Sequence, residues 1–135
     1  RLLLAVPVVV AGDSMRPTLR PGDRLWVDRH TLRWRSPRRG ELVVGLPRSR
    51  PGLWIVKRIV GLPGECVELH RDCVSINGVP LAEPYLAGPT ALIGCFTWRT
   101  GPDEYLLLGD NRAESDDSRL YGPFSRDRLR GPVRR

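Results

Sequence analysis

One serine and one lysine stand in settings that would suit a nucleophile and its base. Ser14 lies in AGDSMRPTLRPGD, residues 11–23, where an apolar run stops at Gly12-Asp13 and Pro17 follows shortly after. A serine hydroxyl is a poor nucleophile until a positioned base takes its proton, and a desolvated lysine amine is one of the few alternatives to histidine. Lys57 lies in LWIVKRIVGLPGE, with four apolar residues before it and Ile59-Val60 after a single arginine. It is the only lysine among 22 lysines and arginines. An arginine cannot give up its proton near neutral pH, whereas a buried lysine can. Alternation along a strand puts Lys57 on one face with Ile55 and Ile59, and Arg58 on the other with Val56 and Val60; the pattern leaves open which face is buried. Taken singly, Ser14 also reads as a turn or helix-capping serine and Lys57 as a strand lysine with its head in water. Together they are the minimum equipment of a Ser-Lys hydrolase.

A third stretch, LLLGDNRAESDDSRLYGP at residues 106–123, runs from an apolar strand into a loop dense in carboxylates, hydroxyls and arginines. A solvated loop needs no such mixture. A pair such as Asp117 with Arg119 would rigidify it, and Ser115 or Ser118 could hydrogen-bond a neighbouring amine. The two histidines, His30 and His70, sit in polar, arginine-flanked stretches that read as surface turns. The cysteines Cys66, Cys73 and Cys95 are odd in number and form no Cys-x-x-Cys pair, so neither a zinc site nor a disulfide framework is indicated; a Cys66–Cys73 bridge stays open.

These residues need a scaffold. A chain of 135 residues, 41% hydrophobic and 27% charged, fits one globular domain, residues 1–135. Its 14 glycines and 13 prolines punctuate short β-rich segments, the pattern of a mostly β domain. Strands are expected at 3–10, 24–28, 41–45, 54–60, 66–69, 74–76 and 105–108. Helical signals are weak, a turn or two at 17–19 and another near 126–130. Residues 66–81 read as a hairpin with its tip at 70–72 and a second turn at Asn77-Gly78. Residues 87–103 carry the least pattern and read as a loop. The apolar run at 2–12 is too short to span a bilayer and Pro7 interrupts it, so a strand is expected. A chain that begins with Arg1 suggests a longer precursor. The net charge of +7 admits a nucleic-acid or anionic-membrane partner without choosing between them.

Five stretches in order, AGDSMRPTLRPGD, RGELVV, VKRIVGLPGE, INGVPLAEPYL and YLLLGDNRAESDDSRLYGP, resemble the sequence boxes of bacterial type I signal peptidases, which are membrane-anchored Ser-Lys serine endopeptidases. The resemblance implies Ser14 as nucleophile, Lys57 as general base and Ser115 as the hydroxyl that orients the lysine amine. It implies support roles for Asp110, Asp117 and Arg119. It places the backbone N–H of Ser14 in the oxyanion hole, with Gly12 where some members have a serine. Ala113-Glu114 departs from the Asp-Asn of many members. The implied fold is mostly β, antiparallel sheets around the dyad, with the second domain reduced to about residues 82–104. An N-terminal membrane anchor would lie upstream, and the catalytic domain on the outer face of the cytoplasmic membrane. Substrates would be preproteins cut after an Ala-x-Ala-like site, the membrane partner an anionic lipid surface, with no metal, organic cofactor or nucleic acid required. Two other readings stand beside it: a peptidase dedicated to maturing one precursor, and a basic β module in which Ser14 and Lys57 are inert.

Overall fold

Period-two alternation of apolar residues, broken every few positions by Gly or Pro, builds this chain from short strands. The computed structural model describes residues 5–71, 73–86 and 95–135. In chain order the strands are β1 (Ala5–Val9), β2 (Arg24–Asp28), β3 (Leu42–Gly45), β4 (Ile55–Gly61), β5 (Cys66–His70), β6 (Cys73–Ile76), β7 (Val79–Pro80), β8 (Cys95–Arg99), β9 (Glu104–Leu108), β10 (Phe124–Ser125) and β11 (Leu129–Arg134). One short helix, α1 (Ser118–Tyr121), and 3-10 turns at Thr31–Arg33 and Arg126–Arg128 complete the described residues. The mostly β, antiparallel expectation holds.

The strands form a seven-stranded sheet, ordered β1-β2-β11-β3-β4-β9-β10, and a four-stranded sheet, ordered β7-β6-β5-β8. Within the larger sheet Lys57 on β4 sits opposite Val43 on β3. The sheet curls until Val8 and Val10, from β1 and the residue after it, pack with Met15, Leu19, Leu25, Leu42 and Val56 in one apolar cluster. Val43, Ile59, Tyr105, Leu107, Phe124 and Leu129 make another. Val60, Leu106 and Leu108 meet Val67, Leu69 and Val74 where the two sheets join. The chain crosses between sheets at Gly61, beside a register shift in the β4–β9 pairing. A Cβ there would lie 2.8 Å from both Leu106 Cβ and Val67 Cγ2, so only glycine permits the junction.

Several expectations change. Residues 95–99, read as loop, form β8 against β5, because Phe96 and Trp98 alternate inward onto the junction cluster. The helical turn expected near 126–130 is a single 3-10 turn, after which Leu129 enters β11 to fill the gap between β2 and β3. The hairpin and its Asn77-Gly78 turn are present, both residues having positive φ as a type I′ turn requires; Asp72 at the first tip lies outside the described residues, as do 87–94. A Cys66–Cys73 bridge does not form. Cys73 pairs with His70, about 13 Å along β5 from Cys66, and all three cysteines are free thiols. His30 is half-buried, not fully at the surface, and its Nε2 accepts from the Trp34 indole at 2.7 Å.

Candidate active site

Ser14 sits on the turn that follows β1, and the turn is pinned from both sides. Its neighbour Met15 is buried among Leu19 and Leu25, and the Met15 sulfur accepts from the Asp110 N–H at 3.4 Å. The Ser14 carbonyl accepts from the Asn111 N–H at 2.9 Å, and the Asp13 carbonyl from Asn111 Nδ2 at 3.0 Å. Gly12, with φ of 78°, turns the chain in a left-handed conformation that other residues resist. The hydroxyl is thereby held at a fixed point while, among the described residues, the Ser14 N–H donates to no protein acceptor.

Lys57 arrives from the middle of β4. Both it and Arg58 are buried, at 4% and 8% exposure, so the strand has no water-facing side at this point. The Lys57 Nζ lies 2.6 Å from Ser14 Oγ. Burial pushes the Lys57 amine below the ordinary lysine range; the Asp117 and Asp116 carboxylates pull the other way and do not restore it. Burial thus favours the neutral amine, and a neutral amine at this distance from a serine hydroxyl can take its proton.

Arg58, on the opposite face, is matched by a buried carboxylate. Its guanidinium makes two bonds to Asp110, at 2.9 and 2.6 Å, donates to the Gly40 carbonyl at 2.8 Å, and stacks 3.8 Å above the Tyr85 ring. Asp110 also accepts from the Thr18 hydroxyl, so one carboxylate joins β4, the turn that carries Ser14 and the loop after β9.

That loop folds on Gly109. The Gly109 N–H donates to Asp117 at 2.9 Å and its carbonyl accepts from Arg112 Nε at 2.7 Å. Its φ is ordinary, yet a Cβ would lie 2.1 Å from Ser115 Oγ, 2.6 Å from Ser115 Cβ and 2.7 Å from the Ser14 carbonyl oxygen. Asp117 is fully buried and caps α1 through the Arg119 N–H. Burial alone would raise its carboxyl, but the Arg119 guanidinium and the Gly109 and Arg119 N–H groups hold it below the usual carboxylate value. Arg119 in turn donates to the Arg112 carbonyl at 2.6 Å. Arg112, 1% exposed, forks onto Glu83 at 3.2 and 2.5 Å. The Tyr85 hydroxyl donates to the same Glu83, and burial followed by that carboxylate raises its pKa well above a free tyrosine's.

Of the residues singled out in the sequence, Ser14 and Lys57 come together directly. Asp110 is bonded to Arg58 beside Lys57, and Asp117 and Arg119 are bonded to each other in the loop after β9. Ser115 lines the same cleft as Lys57, but its Oγ is buried without a hydrogen-bond partner among the described residues, so the expected bond to the lysine amine is not made. Glu83, Tyr85 and Gly109 are not singled out by the sequence, Arg58 enters there only as the alternative to Lys57, and Arg112 only as one of the loop arginines. The signals were there in KR, in GDNR and in EPY, but a polar residue's burial cannot be read from neighbours that alternate.

Two depressions meet at the dyad. An apolar groove of about 480 Å³ is lined by Val8, Val10, Met15, Trp54 and Val56 and ends on Ser14 and Lys57. A wider cleft of about 630 Å³ runs from the same pair along Gly12, Asp13 and the Ala113–Asp116 loop. The groove is of a size and polarity to take small apolar side chains, and the cleft an extended chain.

The family model described as signal peptidase, peptidase S26, matches residues 1–135. "Probable signal peptidase I-2" of Synechocystis sp. is 38% identical over 97% of this chain and 62% of its own length. "Signal peptidase I P" of Bacillus subtilis subsp. natto is 38% identical over 97% of this chain and 75% of its own. The chain thus spans about two thirds of the length of such relatives. The crystal structure of a signal peptidase I from Enterococcus faecalis superposes with a TM-score of 0.64 at 34% identity, covering 73% of this chain and 97% of that one. With its boxes in order and its serine and lysine in contact on a matching fold, this chain belongs to the signal peptidase, peptidase S26, family.

Proposed function

We propose that the protein is a serine endopeptidase that removes N-terminal signal peptides from exported preproteins through a Ser14–Lys57 dyad. The observation that carries this reading is the 2.6 Å contact between a buried lysine amine and a turn-held serine hydroxyl. Neutral Lys57 takes the Ser14 proton as Oγ attacks the scissile carbonyl, and the Ser14 N–H receives the developing oxyanion. The lysine ammonium then protonates the leaving amine, which is the new N-terminus of the mature protein. A water deprotonated by Lys57 hydrolyses the acyl-enzyme and restores both side chains. No step requires a metal or organic cofactor.

The preprotein is taken in extended form along β1, which is an edge of the larger sheet among the described residues. The Val8, Val10, Met15, Val56 groove receives the small residues of an Ala-x-Ala-like site. Ser115, a buried hydroxyl in the cleft of Lys57 with no hydrogen-bond partner among the described residues, orients the amine by a rotamer change when substrate closes the site. Asp110, Asp117 and Arg119 keep the loop in shape. The two sheets act as one catalytic domain, residues 1–135, with 82–104 a reduced insertion. Family membership supports a site of action at the cell membrane, the catalytic domain lying on the extracytoplasmic face against anionic lipid; no helix among the described residues is long and apolar enough to cross a membrane.

The test is cleavage of a preprotein by Ser14→Ala and Lys57→Arg variants. Lys57→Arg keeps the charge but cannot deprotonate, so it is expected to be as inactive as Ser14→Ala. Substantial turnover by the arginine variant would remove the lysine from the role of base.

A further inference from the structure

Away from the dyad, a second cleft of about 490 Å³ opens where the end of β2, the two 3-10 turns and the start of β11 meet. It shares no lining residue with the groove or the cleft around Ser14. Its walls carry four guanidinium groups, Arg29, Arg33, Arg126 and Arg130, against two carboxylates, Asp103 and Asp127. The fold builds this concentration. The β11 register shifts between Leu129 and Gly131, and such a bulge re-aims the residue at it, here Arg130. Gly131 lets β11 press onto the end of β2, since a Cβ there would lie 1.8 Å from the Asp28 carbonyl oxygen.

The six charges are not equivalent. Arg126 is a strut, donating to the Leu32 carbonyl at 2.6 Å and the Arg35 carbonyl at 2.9 Å, which fixes the turn that carries Arg33. Asp127 is engaged by the Ser125 hydroxyl and by Arg48 at 3.3 Å. Arg29, Arg33 and Arg130 are exposed and, among the described residues, make no side-chain hydrogen bond or ion pair; Asp103 is the one opposing carboxylate without such a partner. The floor is apolar, formed by Leu32 and Leu129, which pack into the core.

We propose that this cleft binds a phosphate group, gripped by Arg29, Arg33 and Arg130 above the Leu32–Leu129 floor. A phosphate offers enough oxygens for several guanidinium forks at once, whereas a carboxylate saturates one. The ligand is a lipid headgroup or a soluble phosphate. The inference stands apart from the peptidase reading, because neither Ser14 nor Lys57 takes part in it.

The test is titration of the chain with inorganic phosphate at fixed ionic strength, followed by NMR of the arginine Nε–H groups. A parallel arm measures partition onto phosphatidylcholine vesicles with and without phosphatidylglycerol. The Arg33→Gln/Arg130→Gln pair is compared with Arg71→Gln/Arg99→Gln, which removes the same charge from the other sheet. Saturable shifts at Arg29, Arg33 and Arg130 are expected, with affinity lost about tenfold in the cleft pair and nearly unchanged in the control pair. Loss of vesicle partition confined to the cleft pair identifies a lipid source, and a response to phosphate alone a soluble one. Should the glutamine pair fail to fold, Arg33→Lys/Arg130→Lys keeps the charge without the fork, and a loss of about threefold is expected. Equal losses in cleft and control pairs, or no saturable binding of either probe, would overturn the proposal.

Discussion

Replacing Gly109 with alanine adds one methyl group at the point where the turn that carries Ser14 and the loop after β9 touch. The Ser115 hydroxyl can swing away from it, but Ser115 Cβ, at 2.6 Å, and the Ser14 carbonyl oxygen, at 2.7 Å, cannot. Restoring ordinary contact at about 3.4 Å moves the Ser14 backbone or Gly109 by about 0.7 Å. The Ser14 carbonyl is tied to the Asn111 N–H and Gly109 to Asp117 and Arg112, so any shift is shared across the site. Misplacing a reacting group by about 1 Å costs on the order of 100-fold in rate, and inserting a methyl group into a packed site costs about 1–3 kcal/mol. Gly109→Ala is therefore expected to lose about 100-fold in kcat on a preprotein-derived peptide with a smaller effect on KM. A control is Gly64→Ala, at a remote turn with φ of 74° and open space around it; it should lose about 1 kcal/mol of stability to backbone strain and keep its kcat. A Gly109→Ala variant with kcat within about twofold of the parent would refute the claim that this contact sets the position of Ser14.

The proposed base is neutral Lys57, whose pKa burial lowers, so kcat/KM should rise with pH along a limb centred below the ordinary lysine value; a limb absent across that range would exclude lysine as the base. Stability follows a related rule: between the lowered Lys57 value and 10.5 the unfolded chain holds a proton that the folded chain has released. Folding stability should accordingly gain with pH in that window, and Lys57→Met should flatten the gain in denaturant titrations. Arg58→Ala leaves Asp110 buried and unpaired and is expected to cost about 3–5 kcal/mol, whereas Arg16→Ala, which breaks the exposed Arg16–Asp13 pair, should barely move the unfolding midpoint. Glu83→Gln weakens the anchor of buried Arg112 and should lower the melting temperature without shifting the pH limb; a shifted limb would mean that Glu83 acts on the dyad electrostatically.

Much of this molecule is legible in its residues because period-two alternation and turn chemistry are local. The β2 strand, the paired β5 and β6 and the Asn77-Gly78 turn all follow from neighbours within a few positions. What escaped reading depends on distant partners. Leu129–Arg134 becomes a strand because two other strands leave a gap for it, while its own arginines and Pro132 argue for neither strand nor helix. Lys57 and Arg58 read as alternatives, one inward and one outward. Both are inward because β4 is covered on each side, by the Ser14 turn and by Tyr85. Gly109 stands in a Gly-Asp-Asn sequence that many turns could use; its requirement comes from Ser14, far away in the chain.

The edge position of β1 has a bearing on where a bound chain is cut. A peptide laid antiparallel or parallel along that edge inherits the pleat, so every second side chain points into the Val8, Val10, Val56 groove and those between point out. The strand leads within five residues to Ser14, so backbone pairing on β1 would act as a ruler with Ser14, the proposed nucleophile, as its zero mark. A small-x-small preference is then the two-residue period of a strand read out as specificity. A slip of one residue along the edge would carry both small side chains out of the groove together.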